Sequence, residues 1–302
     1  MSSGSDSVKS IMYALIANFT IAIAKLGAAF VTSSGAMMAE AVHSFADCGN
    51  QVLLLIGLKQ AKHPPTPDYP LGFGKSIYFW SFIVALILFS MGGLFSIYEG
   101  VHKLHEPEAL KYPLVAIAVL LFGIFAEGAS LSGCLREINK DRGDQSLWRW
   151  FRDSRKSELV VIFGEDLAAL IGLTFALIAI SLSWLTGDPT FDAVGSIGIG
   201  VLLVIVAFFV GVEVKALLIG QGVEPREKEK MLNFINQRPE VDHIFNLLTL
   251  QMGNDVMVAV KAKMSETSDV QKLLAEINQT EKAFKMAFPQ VLWLFFEPDN
   301  ED

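Results

Sequence analysis

Apolar positions along this chain fall in long, nearly unbroken runs rather than in short amphipathic stripes. Six stretches reach the roughly 20 mostly apolar residues needed to cross a hydrocarbon core of about 30 Å. They are Val8–Val31, Ala36–Gln60, Ser76–Val101, Tyr112–Leu135, Ser157–Leu185 and Thr190–Ile219, and they predict six membrane-spanning helices. After Gly220 the pattern turns charged and polar. A helix is expected from Pro225 to about Gln237 and a strand over Val241–Gln251. A hairpin turn follows at Gly253-Asn254-Asp255, then a strand in which Val256, Val258, Val260 and Ala262 alternate with Met257, Ala259, Lys261 and Lys263. Ser268 is expected to cap a second helix that lays Val270, Leu273, Leu274, Ile277 and Phe284 on the sheet. Pro289 ends it, and a last strand runs over Val291–Glu297. The expected architecture is an all-α six-helix transmembrane domain over 1–220, followed by a cytoplasmic α+β ferredoxin-like (αββαβ) domain over 221–302. So small a sheet with one covered face suits pairing with a copy of itself, so a homodimer is expected.

Composition supports the membrane reading. Of 302 residues, 52% are hydrophobic and only 19% charged, where soluble domains carry about a quarter. The formal net charge of −8 argues against a basic surface for nucleic acid. Cys48 and Cys134 lie inside apolar runs and read as small buried hydrophobes. Positive charge is uneven between the loops. Lys59, Lys62 and Lys75 lie between the second and third segments, and Arg136, Lys140, Arg142, Arg149, Arg152, Arg155 and Lys156 between the fourth and fifth. These loops should face the cytoplasm, with both termini on the same side. A bacterial inner membrane is the expected location.

The candidate chemistry is the ionisable groups inside the apolar runs, which are costly there and mark function by default. The second segment carries Glu40, His43 and Asp47 at i, i+3 and i+7, on one helix face, and Asn50 and Gln51 prolong that face. The fifth carries the adjacent pair Glu165 and Asp166. At about 1.5 Å per residue, Asp47 and Asp166 come to similar depth near the midplane. One imidazole with two or three carboxylates suits a divalent cation such as zinc, and the lack of thiolates argues against copper(I). Lys25 and Glu40 lie at matching depths and should form a structural ion pair. His43, Asp47 and Asp166 have no such cation, so a metal ion or protons must supply the balance, and exchange between the two is the content of antiport. Glu127 in the fourth segment fits pairing with the basic loop, lining a vestibule or carrying a proton.

The stretch "SSGAMMAEAVHSFADCGNQVLLLIGL" and the later "YPLGFGKSIYFWSFIVALILFSMGGLFSIYEGVHKL" resemble the cation diffusion facilitator family of divalent-metal/proton antiporters. The resemblance implies six spans, cytoplasmic termini, a ferredoxin-like cytoplasmic domain and a homodimer. It also implies a transport site with a His/Asp-x-x-x-Asp pair on the second helix, matched by His43 and Asp47, and a His-x-x-x-Asp pair on the fifth. Asp166 matches that last aspartate, but Ile162 stands where the histidine would be. Glu165 is the substitute, and "GEDLAAL" is similar to the zinc-transporter-9-like subgroup. The implied metal set is therefore His43, Asp47, Glu165 and Asp166. Its oxygen-rich character admits manganese, iron(II), cobalt or cadmium beside zinc.

The expected function is efflux of a divalent cation by proton antiport with alternating access, and not an enzyme. No cofactor is expected. A membrane metal hydrolase would want a second histidine, as in His-Glu-x-x-His. A membrane-bound metal sensor that binds without transporting is the alternative. His63, His102 and His105 read as loop residues, and the Phe79–Trp80 and Trp148–Trp150 aromatics as interfacial anchors. Gly72, Gly74, Gly92, Gly93 and Gly123 read as sites of tight turns or helix contact.

Overall fold

The computed structural model describes the backbone of residues 3–107 and 109–301, and the side chains from residue 18 onward except Asp141. The apolar runs are helices: α1 (Ser3–Thr32), α2 (Gly35–Ala61), α3 (Ser76–Ile87), α4 (Phe95–His105), α5 (Pro113–Arg142), α7 (Ser157–Thr186) and α8 (Thr190–Ile219). A short helix, α6 (Leu147–Asp153), lies between α5 and α7. Among the described residues, five helices are long and apolar enough to cross a bilayer, one of them Ser76–His105, which joins α3 and α4. In α1 the described side chains form an apolar stretch over Asn18–Thr32. Basic residues expected in the loop after the fourth segment, from Arg136 to Arg142, instead extend α5. Likewise His102 and His105, expected in a loop, sit on the last turn of α4.

The chain gathers into two compact units. The first comprises residues 1–57, 80–145 and 158–214, and the second 58–79, 146–157 and 215–302. The core of the first is rich in alanine, with Ala28, Ala36, Ala39, Ala168 and Ala176 around Met37, Leu120, Leu173 and Ile199. Small residues let helix backbones approach where the hydrophobic effect cannot press apolar helices together. The approach is closest between α8 and the third span. A Cβ on Gly200 would stand 2.6 Å from the Gly93 carbonyl oxygen, and one on Gly100 would stand 2.7 Å from that of Ala193. Large apolar side chains point outward instead, among them Phe30, Phe122, Phe125, Leu185 and Phe208.

The third span is not a uniform helix. Leu88–Leu94 is π-helical, one residue wider per turn than the helix on either side of it. Ser90 Oγ donates to the Leu86 carbonyl at 2.8 Å in this region, and Gly92 and Gly93 lie within it.

In the second unit α9 (Pro225–Asn236), β1 (Val241–Met252), β2 (Asp255–Met264), α10 (Val270–Ala287) and β3 (Val291–Pro298) follow in the expected αββαβ order. The sheet order is β1-β2-β3, with β1 antiparallel and β3 parallel to the central β2. Gly253, at φ +68°, makes the hairpin turn. Val256, Val258, Val260 and Ala262 are all buried as their alternation requires. Each buried valine contributes about 1.5–3 kcal/mol. Met231, Ile235, Phe284 and Phe288 cover that face, the last two with ring centroids 4.7 Å apart.

Three expectations need correction here. The cap of α10 is Asp269, whose Oδ1 accepts from the Gln271 and Lys272 amides, not Ser268, because the helix starts one residue later than its polar prelude suggests. Val270 and Leu274 are 66% and 48% exposed and do not cover the sheet, which is left to Leu273, Ile277 and Phe284 on the other side of α10. Trp150 is 2% exposed and is no interfacial anchor. With Phe151 it forms the buried side of α6, while Trp148 faces outward. The same unit is tied across the chain by Arg155 Nε, which donates to the Gly222 carbonyl at 2.6 Å, and by the Tyr78 hydroxyl, which accepts from the Gly253 amide at 2.9 Å.

Candidate metal centre

The α2 face is built as its spacing dictates. Glu40, His43 and Asn50 are buried, and Asp47 is partly so. His43 Nδ1 stands 3.4 Å from Asp47 Oδ1 without hydrogen-bond geometry, and neither ring nitrogen of His43 has a hydrogen-bond partner. The imidazole faces the π-helical segment, since a Cβ on Gly92 would stand 3.9 Å from His43 Nδ1. Two unsatisfied nitrogens on a fully buried ring are costly. They are the strongest sign of a ligand-binding role in the helical unit.

The α7 carboxylates divide. Glu165 meets α2 directly, its Oε1 accepting from Asn50 Nδ2 at 2.5 Å. Asp166 turns to α5, its Oδ2 accepting from Ser130 Oγ at 3.0 Å. This is the roughly 100° divergence that adjacency on a helix imposes. The four residues picked out from the sequence therefore sit in three local arrangements: His43 with Asp47, Glu165 with Asn50, and Asp166 with Ser130. Among the described residues no three His, Cys, Asp or Glu side chains stand close enough together to hold a metal ion. All four nevertheless share one region, for the charges of Glu165, Asp166 and Glu127 all reach Asp47. Glu127 lies one turn before Ser130 on α5.

Lys25 and Glu40 form the expected ion pair, at 3.3 Å between Nζ and Oε2, both fully buried. Lys25 also donates to Ser44 Oγ at 2.7 Å.

Sequence reasoning missed Asp192, at the start of α8. Its carboxylate sits on the N-terminus of α2. It accepts from the Gly35 amide at 2.6 Å and the Ala36 amide at 3.3 Å, and from Ser34 Oγ at 2.6 Å. Ser34 Oγ in turn accepts from the Met37 amide, and Lys103 Nζ donates to the neighbouring Ser33 carbonyl. The orphan amides and the positive helix end are thus satisfied by an anion from another span. Ser34 before an apolar helix signals a cap, but nothing local signals its partner 158 residues away. Ser130 was missed for the same reason.

The family model for the cation efflux transmembrane domain matches residues 11–219. The mitochondrial proton-coupled zinc antiporter SLC30A9 of Xenopus laevis is 32% identical over 272 residues, covering 86% of this chain and 48% of that protein. Metal tolerance protein C4 of Arabidopsis thaliana is 31% identical over 82% of this chain and 54% of its own length. The cation-efflux pump FieF of Serratia proteamaculans is 25% identical over 88% of this chain and 83% of its own. The chain thus spans about half the length of the first two relatives. Its membrane helices, its buried histidine and carboxylates, and the match over residues 11–219 place it together with these proteins: the chain belongs to the cation efflux family.

Proposed function

We propose that this chain carries divalent metal ions, zinc foremost, out of the cytoplasm in exchange for protons. The observation that carries the reading is His43: a buried imidazole with both nitrogens unsatisfied beside the Asp47 carboxylate. A borderline divalent cation is the ligand that such a nitrogen and oxygen set suits. The names of the relatives, zinc antiporter and cation-efflux pump, support transport rather than catalysis. The metal is cargo, bound by His43, Asp47, Glu165 and Asp166. Glu165 offers its second oxygen while Oε1 keeps the Asn50 amide, and Asp166 gives up the Ser130 hydroxyl when the shell closes on the ion. Protons entering from the far side compete for the same ligand atoms, since a carboxylate or imidazole must be deprotonated to hold metal.

The helices holding the site rock so that it opens to each side in turn. On this reading residues 1–220 transport and residues 221–302 form the cytoplasmic domain. Both termini face the cytoplasm, the protein sits in a bacterial inner membrane, and two copies associate. The test is zinc flux into proteoliposomes driven by an imposed pH gradient. Wild-type protein should couple the gradient to flux, and Asp47→Ala should abolish it. Equal rates for the two proteins would sink the site. Tight zinc binding without flux would turn the reading to a sensor.

A further inference from the structure

The Lys25–Glu40 pair has features that a packing contact does not require. The ammonium meets only one carboxylate oxygen, Oε2, while Glu40 Oε1 is buried without a hydrogen-bond partner. That oxygen lies against α7, where a Cβ on Gly172 would stand 2.6 Å from it. The ammonium's closest partner is Ser44 Oγ at 2.7 Å, and Ser44 is one helical turn from Asp47. A Cβ on Gly123 of α5 would stand 3.5 Å from Lys25 Cε. The lysine therefore sits among α1, α2 and α5, its ammonium held by Ser44 one turn along α2 from Glu40, in the direction of Asp47. Its charge reaches Asp47, His43 and Glu127. Among the described residues Lys25 is the only buried lysine or arginine.

We infer that Lys25 is a tethered counter-ion of the transport site: its ammonium, held on Ser44 beside Asp47, opposes the arriving cation and so weakens metal binding enough for release. The inference rests on the proposed antiport reading and deepens it. A fixed positive charge near the site lowers affinity for a doubly charged ion. An exchanger needs this, because an ion held too tightly does not leave. Glu40 is the partner that holds the ammonium back. Lys25 and Glu40 are thus positioning residues, acting through Asp47 and His43 rather than on the ion.

The test separates this role from packing by moving charge in both directions. Replacing a buried ion pair by neutral groups of similar shape is often tolerated, so Lys25→Met/Glu40→Gln is the first variant. In proteoliposome zinc flux it should lower KM by about five- to tenfold and lower kcat with it. Glu40→Gln alone leaves the ammonium without its restraining carboxylate and should raise KM, while Lys25→Arg, which keeps the positive charge, should not lower KM as the neutral pair does. KM and kcat both within twofold of wild type in the neutral pair, or a lowered or unchanged KM in Glu40→Gln, would overturn the inference. The antiport reading fails separately, through absence of flux in wild type. In that event zinc Kd in the detergent-purified full chain reads the same shifts: tighter for the neutral pair and weaker for Glu40→Gln.

Discussion

Asn50 and Glu165 face each other across the contact between α2 and α7, with the amide of one donating to the carboxylate of the other at 2.5 Å. Both are buried, so this hydrogen bond is a fixed point from which the relative position of the two site-bearing helices is set. It also fixes the direction in which the Glu165 carboxylate points.

Removing that hold should loosen the proposed site without deleting a ligand. Asn50→Ala is expected to weaken zinc affinity by about 10–100-fold, the range for loss of a group that orients a ligand. Isothermal titration with zinc on the purified protein checks this, and unchanged affinity would show that Asn50 does not orient Glu165.

Asp192→Ala removes the carboxylate that receives two amides and a hydroxyl at the start of α2. Loss of a helix cap costs about 1–2 kcal/mol. The thermal midpoint in detergent should fall accordingly, and Asp192→Asn, which keeps an acceptor oxygen, should fall less.

Gly200→Leu should be poorly tolerated. Even a Cβ there would stand 2.6 Å from the Gly93 carbonyl and 2.7 Å from the Ile97 amide nitrogen, and backbone cannot yield as a flexible side chain does. Overpacking of this sort costs about 1–3 kcal/mol or more, read as loss of folded protein on size-exclusion chromatography. Gly211→Leu, with nothing within 4 Å of its Cβ position, is the control on the same helix.

Acid should loosen the end of β3. The Lys261 ammonium, with the Asn300 and Glu301 amides, holds the Asp299 carboxyl below its ordinary value. A depressed carboxyl stabilises the folded form above its unfolded value, about 3.9. That stabilisation is lost as pH falls through the lower folded value. Protection factors over residues 291–301 in the full chain, taken against the intrinsic exchange rate at each pH, should therefore fall in strong acid, and Asp299→Asn should show lower protection already at neutral pH and less change on acidification.

What could be read from the sequence alone was whatever a single element announces by its own periodicity. The apolar runs located the helices, although α5 runs on through the basic residues to Arg142, and the alternation from Val256 to Ala262 identified the buried face of β2. Lys25 and Glu40 could be paired because charges in an apolar run have few choices. Features made by the meeting of distant elements were hidden. Nothing near Asp192 says that its carboxylate caps α2, and nothing near Ser130 says that it binds Asp166. The π-helical stretch has only the Gly92–Gly93 pair as a local hint, and that pair packs against α8, far away in sequence. Trp150 and Trp148 look alike in sequence, and only the packing of α6 tells which is covered. The α7 carboxylates were recognised as special, but their partners, Asn50 and Ser130, depend on rotations that adjacency leaves open.

The clasp between Asp192 and the first turn of α2 has a mechanical corollary. Parting α2 from α8 at the Ser34 end would strand an anion in apolar surroundings and bare the helix amides it satisfies. That end of α2 is therefore the costlier one to part, and a tilt of α2 would displace His43 and Asp47 more than Ser34.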